Sequence, residues 1–302
     1  MGRGLAERRE RRESGVSPLR AVGLVPHRER GEASELAKHA ADTFAEHGVE
    51  VRIPPADAAA SGLEHLAATS EPFADGLDLV LSLGGDGTML RTIDLVYESG
   101  VPVLGVNVGQ LGYLAEVEPP DLDRALERLV AGDYTVDERM MLAIDVVSDG
   151  SASGRWYALN EAVLEKLHTG RLARLDVEVN GTFFTTYAAD GVIVATPTGS
   201  TAYSFSARGP IVSPRMRCLL LTPVSPHMLF DRSLVLGAEE TVRFVVSDHR
   251  SVALTADGLE RGELAAGDTV TCTAGPRPAR IVTLAPRDFH QILKAKFGLA
   301  DR

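Results

Sequence analysis

The stretch Leu83-Gly84-Gly85-Asp86-Gly87-Thr88 decides the fold of this chain. It follows the apolar segment Leu77-Asp78-Leu79-Val80-Leu81 and precedes Met89-Leu90-Arg91-Thr92-Ile93-Asp94-Leu95-Val96, which reads as a helix. A strand that delivers three glycines to a helix start builds a phosphate cradle. Glycines let backbone N–H groups approach an anion, and the helix N-terminus carries partial positive charge. Asp86 is the odd element. A carboxylate repels an anion at close range unless a cation is shared or the carboxylate handles a proton. The combination points to nucleotide chemistry rather than storage or scaffolding, with a plain glycine turn as the competing reading.

Outward from this motif the chain has the bulk to support such a site. Its 302 residues suffice for one large or two medium domains, and 44% hydrophobic content allows a packed core. A net charge of −11 argues against non-specific nucleic-acid binding, which draws on excess Lys and Arg. The two cysteines, Cys218 and Cys272, form no CxxC pair, so neither a disulfide framework nor a zinc-thiolate site is expected. No apolar run reaches the roughly 18 to 20 residues that span a bilayer. The N-terminus lacks the apolar core of a signal peptide. The expectation is a cytoplasmic protein with no nucleic-acid or membrane partner.

Residues 1–18 carry Arg8-Arg9-Glu10-Arg11-Arg12-Glu13 and almost no apolar side chains, as a disordered tail does. From Ala21, the strand-like Val22-Gly23-Leu24-Val25, a helical stretch from Ser34 to His47 and the strand-like Val49-Glu50-Val51 are the signature of a parallel α/β sheet. Ala56 to Ser70 has no legible role. Val101 to Asn107 then reads as strand, Gly109-Gln110-Leu111-Gly112-Tyr113-Leu114 as a glycine-punctuated loop, and Leu122 to Ala131 as helix. These complete a doubly wound α/β domain over 19–132, whose ligand should sit at the strands' C-terminal ends beside Gly84 to Thr88. From about Asp133, period-two stretches such as Leu175 to Gly181 and Thr241 to Val246 predict an antiparallel, β-sandwich-like domain over 133–285. Two domains imply a cleft between them. Arg280 to Leu284 is expected to close the β region, and a helix within 286–302 to return to the first domain.

A second motif runs from Asp190 through Gly191-Val192-Ile193-Val194-Ala195 to Thr196-Pro197-Thr198-Gly199-Ser200-Thr201-Ala202-Tyr203-Ser204-Phe205-Ser206. Four hydroxyls between Thr196 and Thr201, with Tyr203, Ser204 and Ser206 beyond, suit a ligand with many polar edges. A Ser/Thr turn capping a helix accounts for one or two of them. A third segment, Ala158-Leu159-Asn160-Glu161-Ala162-Val163, sets an amide beside a carboxylate, as gripping a ribose diol or an adenine edge requires.

Together, Gly84-Gly85-Asp86-Gly87-Thr88, Asn160-Glu161 and the Asp190 to Ser206 block resemble the NAD kinase family in order and spacing. The flanking Glu138-Arg139-Met140-Met141-Leu142 and Thr222-Pro223-Val224-Ser225-Pro226-His227 agree. The resemblance runs from about Val22 to the C-terminal helix. It implies an α/β domain followed by a β-sandwich domain, and phosphorylation of NAD at the 2′-hydroxyl of its adenosine ribose. It also implies homodimers or homotetramers in which a neighbouring subunit contributes to the NAD site. By the same resemblance Asp86 accepts the hydroxyl's proton, and Gly84, Gly85, Gly87 and Thr88 shape the phosphate turn. Asn160 and Glu161 hold the adenosine. Asp190, Thr198, Ser200, Thr201, Ala202, Tyr203, Ser204, Phe205 and Ser206 line the rest of the dinucleotide site, with Arg91 and Arg171 near its phosphates. The donor is ATP or polyphosphate, accompanied by Mg²⁺. No dedicated all-carboxylate metal cage is visible, in keeping with a cation held chiefly by substrate phosphates.

Two positions depart from the family pattern. Ala207-Arg208-Gly209-Pro210 stands where Ala-Gly-Gly-Pro is usual, and Leu259 follows Asp257-Gly258 where many relatives place glutamine. A glycine replaced by Arg208 carries a steric or φ > 0 question. Leu259 cannot supply glutamine's hydrogen bond. These changes keep open a non-catalytic NAD- or NADP-sensing paralogue. Lipid kinases of the diacylglycerol or sphingosine type share the GGDGT turn but lack the hydroxyl block.

Overall fold

The computed structural model describes residues 19–69, 72–109, 112–168 and 170–299. The N-terminal tail expected to be disordered, and Gln110 and Leu111 of the glycine-punctuated loop, lie outside them. The chain divides into two compact units, one of Met1–Asp137 with Ile281–Arg287, the other of Glu138–Arg280 with Asp288–Arg302.

The first unit is built on β1 (Ala21–Pro26), β2 (Glu50–Arg52), β3 (Leu79–Gly84), β4 (Val103–Asn107), β5 (Thr135–Arg139) and β18 (Ala279–Thr283), in the sheet order β2-β1-β3-β4-β18-β5. The pairs of β1 with β2 and β3, of β3 with β4, and of β4 with β18 are parallel. β1, β3 and β4 are buried along their whole length, which is why they read as continuous apolar runs. Helices α1 (Gly31–Glu46), α2 (Pro55–Ser61), α3 (Asp86–Val96) and α4 (Leu122–Val130) connect them. α4 buries Leu122, Ala125, Leu126 and Leu129, the spacing of one helix face. The illegible Ala56 to Ser70 stretch holds most of α2, with Pro55 in its first turn, and a short 3₁₀ turn at Glu64–Leu66.

The second unit packs two six-stranded antiparallel sheets over one core. One sheet has the order β10-β9-β14-β17-β6-β7 and the other β13-β12-β11-β8-β15-β16. The strands are β6 (Leu142–Ser148), β7 (Ser151–Ala158), β8 (Glu161–Lys166), β9 (Ala173–Val179), β10 (Thr182–Ala189), β11 (Gly191–Ala195), β12 (Cys218–Val224), β13 (Leu234–Gly237), β14 (Val242–Val246), β15 (Val252–Ala256), β16 (Leu259–Leu264) and β17 (Thr269–Ala274). Ile144, Leu164, Val177, Tyr187, Val194, Leu221, Phe244 and Leu254 fill the space between the sheets. On the other face of the second sheet, Val163, Ile193, Ala195 and Leu220 pack with Val212 and Cys218. Burial on both faces explains why β11 reads as an unbroken apolar run while β14 and β15 alternate. No helix among the described residues is long and apolar enough to cross a membrane.

Two placements differ from the sequence reading. The strand expected to close the β region is β18, whose Ile281 pairs with Val103 of β4, and Ile281 and Val282 are buried as an interior parallel strand requires. The C-terminal helix, α6 (Phe289–Phe297), groups with the second unit rather than the first. There the ring of Phe297 lies 5.1 Å from that of Phe205.

Candidate active site

The glycine turn lies where β1, β3 and β4 end together. His27 N–H donates to the Leu83 carbonyl at 2.9 Å, and Val108 N–H donates to the Gly84 carbonyl at 3.1 Å. The turn therefore sits at the C-terminal edge of a parallel sheet, the usual ligand position in such folds. Its glycines serve different needs. A Cβ on Gly84 would stand 2.2 Å from Thr88 Oγ1, so Gly84 allows the turn to close on Thr88. Gly85 and Gly87 face open space, where an anion can approach the backbone. Gly85 is the N-cap of α3 and no side chain caps the helix; the N–H groups of Thr88 and Met89 turn back to the Gly85 carbonyl at 3.0 and 3.1 Å, and Asp86 and Gly87 head the first turn.

Asp86 is held on both oxygens. Tyr113 N–H donates to Oδ2 at 2.8 Å, and Leu114 N–H donates to Oδ1 at 3.0 Å. Gly112 makes this wrapping feasible, since a Cβ there would lie 2.1 Å from Asp86 Oδ1. Partial burial, followed by the Asp86 charge, pushes the Tyr113 phenol above its ordinary range. The carboxylate is thus fixed in direction and keeps lone pairs free to accept a substrate proton.

Arg91 is engaged within the protein. Its Nη1 donates to both oxygens of fully buried Asp57, at 3.0 and 2.7 Å, and its Nη2 donates to the Pro26 carbonyl at 3.0 Å. Arg28 Nε binds the same carboxylate. Two guanidinium groups on one carboxylate leave a net positive charge near the end of β1, complementary to a phosphate chain. Asp57 and Arg28 were missed from sequence, although an acidic residue two positions after Pro55 in a helical first turn is a local signal.

In the second unit, Asn160 and Glu161 are pinned by a turn far along the chain. Asp257 accepts from the N–H groups of Leu159 at 2.6 Å, Asn160 at 2.8 Å and Glu161 at 3.1 Å, and Asp257 N–H returns a bond to the Glu161 carbonyl at 3.0 Å. Asp257 and Gly258 both have positive φ, 50° and 76°, the geometry of a tight hairpin turn. Glu161 is buried, and its Oε2 has no hydrogen-bond partner among the described residues. Burial, then the charge of Asp257, raises its carboxyl to about 8 against an opposing hydrogen bond from the Tyr203 backbone.

The hydroxyl block is used more inwardly than expected. Thr196 Oγ1 donates to the Leu159 carbonyl and accepts from Gly199 N–H at 3.2 Å. Ser200 Oγ donates to the Val212 carbonyl at 3.1 Å and accepts from Val212 N–H at 3.0 Å. Thr201 Oγ1 donates to the Thr198 carbonyl at 3.3 Å, and Ser204 Oγ meets Thr222 Oγ1 at 3.2 Å. Thr198, Ser200 and Ser204 are buried. The residues left open are Tyr203, Phe205 and Ser206, with Ala202 half-buried. Partial burial, followed by the charges of Glu165, Asp190 and Glu161 within electrostatic reach, pushes the Tyr203 phenol up. Asp190 is paired with Lys166. Arg171 lines a cleft of about 270 Å³ together with Lys166, His168, His249, Arg250 and Glu263. The structure therefore gathers Asn160, Glu161 and Tyr203, brings Asp190 within electrostatic reach of Tyr203, and sets Arg171 in a cleft that it shares with Lys166, the partner of Asp190.

The departure at Arg208 has a clear geometry. Its φ is 67°, and it follows the short helix α5 (Tyr203–Ser206), where a left-handed residue ends the helix. Gly209 answers a different need, because a Cβ there would lie 2.2 Å from Ser204 Oγ.

Comparison with known proteins bears on the family and the fold. The family model described as the ATP-NAD kinase N-terminal domain matches residues 22–134, and that of the ATP-NAD kinase C-terminal domain matches 159–284. The chain is 42% identical over 279 residues to an NAD kinase of Heliobacterium modesticaldum, covering 91% of this chain and 97% of that one. It is 44% identical over 252 residues to an NAD kinase of Symbiobacterium thermophilum, covering 83% and 89%. Among solved structures, yeast NADH kinase complexed with NADH superposes with a TM-score of 0.86 at 26% identity, covering 95% of this chain and 89% of that one. With both domain models matched in order and such relatives aligned over most of its length, the chain belongs to the NAD kinase family.

Proposed function

We propose that this protein is an NAD kinase that transfers the terminal phosphoryl group of ATP to the 2′-hydroxyl of the adenosine ribose of NAD, giving NADP and ADP. The observation that carries this reading is Asp86, a carboxylate oriented by two backbone N–H groups at the head of an uncapped helix. The ribose oxygen attacks the phosphorus, the bond to the ADP oxygen breaks, and the hydroxyl proton passes to Asp86. A carboxylate is a weak base toward an alcohol, but a loose phosphoryl-transfer transition state asks more of positioning and charge neutralisation than of nucleophile strength. The head of α3, with open space at the Cβ positions of Gly85 and Gly87, and the Arg28–Asp57–Arg91 cluster supply positive potential for the donor phosphates. Asn160, Glu161 and Tyr203 are assigned to the adenosine part of NAD, and Asp190, Ala202, Phe205, Ser206 and Arg171 to the remainder. Thr198, Ser200, Thr201 and Ser204 shape this wall from within.

Among the described residues no group of three or more His, Cys, Asp or Glu side chains gathers as a metal cage. We assign Mg²⁺ to the donor, with phosphate oxygens and water as most of its ligands, where it offsets charge on the transferring group. The same reading places the enzyme in the cytoplasm as a homodimer or homotetramer with a site shared between subunits.

The test is to incubate purified protein with NAD, Mg²⁺ and either ATP or polyphosphate, and to measure NADP with an NADP-specific dehydrogenase. NADP is expected from the wild type. Asp86→Asn should lower turnover by about two orders of magnitude or more while NAD affinity stays within a few-fold. NAD binding with no NADP from either donor would replace the kinase reading by the sensing one.

A further inference from the structure

The loop that fixes Asp86 is itself fixed by the far end of the chain. Arg287, 173 residues from Leu114, donates from Nη1 to the Leu114 carbonyl at 3.0 Å. Its Nη2 donates to the Tyr113 carbonyl at 3.0 Å and to the Ala115 carbonyl at 3.3 Å. A second tie lies beside it, where Glu116 Oε1 accepts from the N–H groups of Leu284 and Ala285, each at 2.9 Å. All of these residues belong to the first unit.

One peptide group joins the two charges. The Tyr113 carbonyl that accepts from Arg287 and the Leu114 N–H that donates to Asp86 Oδ1 are opposite ends of the same planar trans amide. The order is guanidinium, carbonyl, N–H, carboxylate, with the amide dipole aligned between cation and anion. Such an arrangement polarises the amide and strengthens both hydrogen bonds. A residue that merely tethered the loop would need no such alignment.

We propose that Arg287 is a positioning residue for phosphoryl transfer, acting through the Tyr113–Leu114 peptide to hold the Asp86 carboxylate in the direction that receives the ribose proton. The proposal rests on the reading of Asp86 as proton acceptor. Arg287 touches no reacting atom, and its effect belongs to kcat rather than to NAD binding. Lysine is a compact point charge that can reach one carbonyl but cannot span three with a planar fork, so it restores part of the effect.

The experiment is a double-mutant cycle on the full chain, with Arg287→Gln, Arg287→Lys, Asp86→Asn and the Arg287→Gln/Asp86→Asn pair. Arg287→Gln is expected to lower kcat about tenfold or more while KM for NAD stays within about twofold, and Arg287→Lys to fall between it and wild type. In the Asp86→Asn background, Arg287→Gln should lower kcat by no more than about twofold, because the group it positions is gone. Equal fractional losses in both backgrounds, or a kcat within twofold of wild type for Arg287→Gln, would overturn the proposal. If Arg287→Gln does not fold, Arg287→Lys carries the same cycle. A second readout is independent of turnover. Hydrogen exchange of the Leu114 amide should quicken in Arg287→Gln or Arg287→Lys while Val106 in β4 stays protected. Unchanged Leu114 exchange would also overturn the clamp. A wild type that makes no NADP refutes the kinase reading instead, and the exchange measurement then decides the clamp alone.

Discussion

Asp257 places its carboxylate against the backbone N–H of Glu161 at 3.1 Å, so that a buried glutamate carries a second acidic group beside it. The Glu161 carboxyl, raised to about 8 by burial and then by the Asp257 charge, stays protonated near neutrality in the folded protein. In the unfolded chain it ionises near its ordinary 4.5. The folded state therefore binds more protons between these values, and stability falls as pH rises. The contribution is fully present below about 4.5 and is lost on passing through about 8. The expected loss between pH 5 and 8 is on the order of 2–4 kcal/mol. Glu161→Gln, which keeps a neutral hydrogen-bonding side chain, should flatten this slope and raise stability at pH 8. Denaturant unfolding of both proteins at several pH values checks it, and a parallel slope in the variant would reject the assignment.

Arg208 occupies left-handed backbone with φ 67°. A non-glycine residue there costs roughly 1–2 kcal/mol, partly offset because glycine has more freedom in the unfolded chain. Arg208→Gly is expected to stabilise the protein by about 1 kcal/mol, read as a rise of a few degrees in Tm. A fall in Tm would mean that the arginine side chain supplies more than its backbone costs.

A Cβ at position 199 would stand 2.1 Å from the Asn160 carbonyl oxygen and 2.5 Å from its carbonyl carbon. Both are backbone atoms and cannot swing aside. Gly199→Ala should therefore displace the strand end carrying Asn160 and Glu161, destabilise by about 1–3 kcal/mol, and weaken NAD binding measured by calorimetry. Gly87→Ala, at a site with open space, should leave Tm nearly unchanged while raising KM for the donor.

Asp57 joins Arg28 and Arg91, and its removal would leave two guanidinium groups facing one another. Asp57→Ala is expected to cost about 2–3 kcal/mol, less than a wholly buried pair would, because Arg28 is half exposed. The kinetic expectation is a raised KM for ATP with KM for NAD little changed. Equal rises for both substrates would remove the cluster from the donor's phosphate path.

The parts of this protein that were legible in sequence are local ones. The glycine turn shows because strand, glycines and helix start follow one another within a dozen residues, and the second unit shows because β14 and β15 alternate between buried and half-buried positions. Hidden features are those made by distant pairings. The hydroxyls of Thr196, Ser200 and Ser204 look like a ligand surface in one dimension, yet they bond to Leu159, Val212 and Thr222. Asp257 drew notice only through its neighbour Leu259, since nothing local announces a carboxylate that caps a strand about a hundred residues earlier. Strand β18 escaped for a related reason. A short apolar run does not say which sheet it will join.

Strand β18 also fixes when the first unit can be finished during synthesis. It stands between β4 and β5 but is encoded after every strand of the second unit, so a ribosome that has released everything through Arg139 has released a sheet with its penultimate place empty. Domains generally fold in order of emergence, yet here the earlier one must wait for the later one to be translated. The segment that fastens Asp86's loop through Glu116 and Arg287 arrives just behind β18. A chain cut short after the β-rich region would carry every glycine of the phosphate turn and lack the strand and clamp that hold it in place. The loop that orients Asp86 can thus take this geometry only once translation has passed Arg287.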